Sequence, residues 1–85
     1  MTKEFTSRDM QLIRSSLLTR IDRCKDMIKL YKDDLERMDS GKYNFYLEEG
    51  ETIDEVADKR RAATVNVIRI YTEELDYLKG MLERI

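Results

Sequence analysis

The sequence predicts an all-α chain: an antiparallel, coiled-coil-like hairpin of two long helices, assembling into a dimeric four-helix bundle or a larger helical oligomer. Three observations carry this expectation. Charged residues make up 40% and apolar residues 41% of the 85 positions, with no proline and three glycines, a profile of long helices rather than of a disordered chain. Apolar residues recur at steps of four and three along two long stretches. A single short break separates those stretches.

The first stretch opens at Thr6, a residue type that caps helix N-termini, with Asp9 at the third helical position and Phe5 and Met10 placed as a hydrophobic staple. Leu17, Ile21, Cys24, Ile28, Tyr31, Leu35 and Met38 then form a heptad seam. Asp39-Ser40-Gly41 ends it, because glycine suits the left-handed position just beyond a helix end. A first helix is expected over about residues 7–39. Thr52 and Glu55 frame a second capping box, so a second helix is expected over about residues 52–85. Its seam reads Ala57, Arg61, Thr64, Ile68, Tyr71, Leu75, Leu78, Leu82 and Ile85, and Gly80 is a mild cost near its end. At 1.5 Å per residue each helix is about 50 Å long. Equal lengths and a short connection, residues 40–51, favour antiparallel packing within one domain spanning residues 1–85.

The second helix carries more apolar surface than a hairpin uses. Beside its seam, about 100° away around the helix, runs a second stripe: Ile53, Val56, Arg60, Ala63, Val67, Ile70, Glu74, Tyr77 and Met81. An uncovered stripe of this kind marks an interaction site. Its residues are also self-complementary, since the pairs 53 and 81, 56 and 77, 60 and 74, and 63 and 70 all sum to 133 or 134. Two copies packed antiparallel near Val67 would set Arg60 against Glu74, Ala63 against Ile70 and Val56 against Tyr77, as an isologous two-fold interface requires. The aromatic connection folding back over part of the stripe is the alternative cover.

Chemistry-bearing signatures are missing. There is no histidine, hence no usual general base or imidazole metal ligand. Cys24 is the sole cysteine and lies in a seam, which predicts an inert packing role and excludes an internal disulfide. Neighbouring carboxylates such as Asp33-Asp34 and Glu73-Glu74 diverge on a helix, and no glycine-rich phosphate loop is present. The expectation is a protein that is not an enzyme and needs no cofactor or metal. Without an N-terminal apolar run of signal length or a membrane-length stretch, and with a lone cysteine, it is expected to be cytoplasmic, with no membrane partner.

Charge is polarised. Residues 8–32 carry a local net of +4, residues 33–58 carry −8, and residues 59–85 carry +2, within a total of −2. Tyr43, Phe45, Tyr46 and Leu47, rimmed by Glu48, Glu49 and Glu51, therefore read as an aromatic and acidic tip. Aromatic anchors in a charged rim are the make-up of interface hot spots, and a negative rim selects a basic partner. Such a partner surface often holds nucleic acid, which suggests an adaptor or inhibitor occupying it. A second class of function is capture of a small anionic ligand such as a nucleotide by Lys59, Arg60 and Arg61 with tyrosines at subunit interfaces. Direct nucleic-acid binding ranks third: the basic residues of the first helix are interleaved with Asp22 and Asp26, lack a stacking platform and sit in an acidic chain.

Overall fold

The computed structural model describes residues 5–85 and consists of two helices, α1 (Ser7–Asp39) and α2 (Ile53–Glu83), with no strand among the described residues. Local chemistry sets the helix ends. At α1 the Thr6 hydroxyl accepts from the Asp9 amide (3.1 Å) while the Asp9 carboxylate accepts from the Thr6 amide (3.0 Å), a complete capping box. Phe5 stays 68% exposed, which leaves little of its surface for the expected staple. At α2 the Thr52 hydroxyl accepts from the Glu55 amide (3.3 Å), and only this half of the expected box is present.

The α1 C-terminus closes as a Schellman motif. The Lys42 amide donates to the Arg37 carbonyl (2.8 Å) and the Gly41 amide to the Met38 carbonyl (3.4 Å). Gly41 has φ +75°, the left-handed conformation that the motif demands and glycine adopts without penalty.

The Asp9 carboxyl is held below the ordinary carboxylate range, first by the Thr6 backbone hydrogen bond and then by the Thr6 hydroxyl. A depressed folded-state pKa stabilises above the unfolded value and is lost as pH falls through the folded one. Helicity at the α1 N-terminus is thus expected to be constant above about pH 4 and to fall below it. Asp9→Asn should abolish that acid dependence in a circular-dichroism titration. An unchanged titration curve would assign the acid response to other carboxylates.

Packing follows one antiparallel register. Asp39 pairs with Arg61, Tyr31 stacks on Tyr71 at 6.4 Å between ring centres, and the Arg14 guanidinium donates to the Ile85 carbonyl (3.3 Å). These pairs sit at numbers summing to about 100, so they mark a single alignment along the hairpin. Two arginines thus find partners at the ends of the hairpin: the seam residue Arg61 beside the loop, and Arg14 at the open end.

The seams meet as their periodicity requires. Leu17, Ile21 and Cys24 of α1 pack with Leu75 and Leu78 of α2, and Ile13, Ile28, Tyr71, Met81, Leu82 and Ile85 surround them half-buried. Thr64 is buried too, its hydroxyl satisfied by the Arg60 carbonyl (2.8 Å), since a threonine in a helix can bond one turn back. Cys24 is a buried thiol without a disulfide partner.

A hairpin is a single layer of two helices, and its surface shows it. The chain measures 63 × 25 × 17 Å and exposes 7245 Å². A globular monomer of 10.2 kDa exposes roughly 5,300 Å² by the usual size scaling. The excess, roughly 1,900 Å², exceeds the ~800 Å² that each partner contributes to a standard interface. No helix among the described residues is long and apolar enough to cross a membrane.

Candidate functional site

The second stripe of α2 lies alongside the core and splits into two halves. Toward the open end Ile70 is 49% and Tyr77 61% exposed, while Val67, Glu74 and Met81 are half-buried at the margin of the seam. Arg20 and Arg23 of α1 share this face. With Cys24, Ile70, Tyr71 and Glu74 they line a shallow groove of about 410 Å³, across which Arg20 pairs with Glu74 at 3.2 Å. An exposed pair of this kind contributes about 0–1 kcal/mol and is readily exchanged for another partner.

Toward the loop, the stripe is walled by the connection. Tyr43, Asn44, Phe45, Tyr46 and Glu51 face Val56, Lys59, Arg60 and Ala63 across an open groove of about 500 Å³. Tyr43 and Phe45 pack against each other at 4.9 Å with rings tilted by 52°. The Tyr43 hydroxyl accepts from Arg60 Nε (3.3 Å), which ties the loop to α2. Ile53, at the first turn, remains 58% exposed.

The loop takes this path for local reasons. Residues 42–48 have no regular structure, and beyond them the Glu51 amide donates to the Glu48 carbonyl (3.1 Å). Gly50, at φ +84°, sits where such a turn needs a left-handed residue. The Glu51 carboxylate accepts from the Glu48 amide (3.0 Å) and braces the turn. Tyr43 and Phe45 are half-buried, while Asn44 and Tyr46 are exposed at the groove's edge.

The expected aromatic tip is therefore two surfaces. Tyr43 and Phe45 turn inward onto α2. Tyr46, 89% exposed, and Leu47, 45% exposed, lie beside the exposed Glu48 and Glu49. The basic run divides as well. Arg61 is committed to Asp39 across the hairpin, whereas Lys59 and Arg60 line the loop groove and form no ion pair among the described residues.

No protein-family model, curated protein or solved structure matches this chain. Among the described residues no group of three or more histidine, cysteine, aspartate or glutamate side chains is placed to hold a metal ion. What the fold positions is surface: a half-open apolar stripe, an exposed aromatic with an acidic rim, and a groove that combines aromatic and basic walls. Sequence periodicity finds the stripe. It gives no hint of the Arg20 and Arg23 flank, because that neighbour comes from the other helix.

Proposed function

We propose that this chain is a non-enzymatic interaction module, an adaptor, inhibitor or assembly component, that self-associates through α2. The observation that supports it most directly is the uncovered part of the second stripe, where Ile70 and Tyr77 stay exposed beside the half-buried Val67 and Met81 at the margin of the core. The occupant that fits this row is a second copy. The stripe matches itself in antiparallel register, Arg60 against Glu74 and Ala63 against Ile70, and the surface excess is large enough for a stable interface. A dimer would add the second layer that a hairpin lacks.

Light scattering on a sizing column should give twice the 10.2 kDa chain mass at micromolar concentration. A mass that stays at one chain across the concentration range would remove the reading.

Tyr46 and Leu47 favour a second, heterotypic contact at the loop end. An exposed tyrosine and leucine beside Glu48 and Glu49 fit a basic protein surface. Because both side chains are exposed, Tyr46→Ala with Leu47→Ser should leave the melting temperature and the mass unchanged while capture of a basic partner is lost. Retention of every partner by this variant would dismiss the tip.

A further inference from the structure

We infer that the groove between the loop and the first turns of α2 binds a small planar anion, an aromatic ring system carrying a phosphate, of the nucleoside monophosphate kind. The inference rests on the groove of a single chain: Val56, Arg60 and Ala63 also belong to the second stripe, so the ligand and the proposed second copy compete for this face.

The groove has the size of a small-molecule site. Its volume of about 500 Å³ lies within the ~300–1,000 Å³ usual for such pockets. Its floor is a strip of Val56 and Ala63, and one wall is aromatic, from Tyr43, Phe45 and Tyr46. A flat ring slides between these as a base does against an aromatic platform, where stacking is tolerant of which ring arrives.

The basic side is the more telling. Lys59 and Arg60 stand about 100° apart on α2, so they flank the Val56 and Ala63 strip from its two sides. Neither forms an ion pair among the described residues, although this part of the chain is crowded with carboxylates. The neighbouring Arg61 does find one, in Asp39. Arg60 is oriented rather than neutralised: its Nε donates to the Tyr43 hydroxyl at 3.3 Å, and its terminal nitrogens have no protein acceptor among the described residues. The one carboxylate in the lining, Glu51, has an oxygen engaged by the Glu48 amide.

Two cations so placed match the charge of a phosphate monoester, about −1.5 to −2 at neutral pH, better than that of a single carboxylate. The acidic surroundings oppose anions at long range, and that field is screened beyond about 10 Å at ordinary salt. The ring then supplies what a bare anion lacks, an apolar body for the aromatic wall.

The test is amide chemical-shift mapping of the full chain against millimolar adenosine monophosphate, with guanosine and uridine monophosphates as further arms. Adenosine and inorganic phosphate are the controls at matched ionic strength. The expected result is saturable shifts confined to residues 43–46 and 56–63, with each control much weaker than the nucleotide. Lys59→Gln should weaken the nucleotide roughly tenfold, and Tyr46→Ala should weaken it comparably. Lys59 and Tyr46 are exposed and lie outside the second stripe, so both variants keep the fold and the oligomeric state, which light scattering verifies. Shifts scattered over the surface, an equal response to inorganic phosphate, or no saturation with any nucleotide would each overturn the site while leaving the self-association reading standing.

Discussion

Leu78→Ala is expected to lower the stability of the chain by about 2–5 kcal/mol, the range for truncating a well-packed leucine. Leu78 is 2% exposed, the deepest side chain of the core, and it sits among Leu17, Ile21, Cys24 and Leu75. A single-layer hairpin has few neighbours able to collapse into the space left behind, and the half-buried residues around it already face solvent. A core in a domain of this size supplies only about 3–5 kcal/mol. The truncation therefore removes most of the margin, and the variant should be substantially unfolded at room temperature in a far-ultraviolet circular-dichroism melt. Leu12→Ala and Leu30→Ala are the controls, because those leucines are 60% and 51% exposed on the outer side of α1 and should shift stability by no more than about 0.5 kcal/mol. If all three variants melted alike, the hairpin would not be the packing unit, and the core would lie between chains. Protein concentration has to be held fixed, since association raises apparent stability by mass action.

How much of this was legible in the sequence depends on how local the cause is. Thr6 with Asp9, Thr52 before Glu55, and Gly41 after Ser40 mark helix ends within a few residues, because caps bond to their own neighbourhood. The seams were equally readable: Leu17, Ile21, Cys24, Leu75 and Leu78 are buried because a four-three spacing places them on one side of a helix. The ion pair of Arg61 with Asp39 was implied once the hairpin was antiparallel, since equal helices around one loop bring those positions opposite each other.

The loop was harder. Reading Tyr43, Phe45, Tyr46 and Leu47 as one patch does not separate the half-buried Tyr43 and Phe45 from the exposed Tyr46 and Leu47, a difference set by how the loop meets α2. Likewise Lys59 and Arg60 diverge on α2, and only a wall supplied from elsewhere in the chain brings them to one groove. That juxtaposition is tertiary, so no spacing rule encodes it.

Val67→Glu is expected to convert the dimer into a monomer without unfolding the hairpin. The stripe pairs place the two-fold axis at Val67, so the new carboxylate meets its own copy there. Leaving an uncompensated charge at a closed interface costs about 3–5 kcal/mol, which raises the dissociation constant roughly 150-fold to several-thousand-fold. Within one chain the same residue is half-buried at the edge of the seam, where a glutamate can turn its carboxylate toward water. Helicity should therefore be kept while the mass in solution halves. Val67→Leu, apolar and one methylene larger, should remain dimeric and separates charge from size.

The loop sharpens this test, because Val56, Arg60 and Ala63 of the stripe also line the loop groove. In the antiparallel register, Tyr77 of a second copy arrives at Val56, beside Tyr43 and Phe45. Breaking the Arg60 bond with Tyr43→Phe should then tune the dimer modestly, whereas Val67→Glu removes it. A wild-type dimer that survives Val67→Glu would place the contact elsewhere, and the exposed Leu12 and Leu30 of α1 would be the next surface to charge.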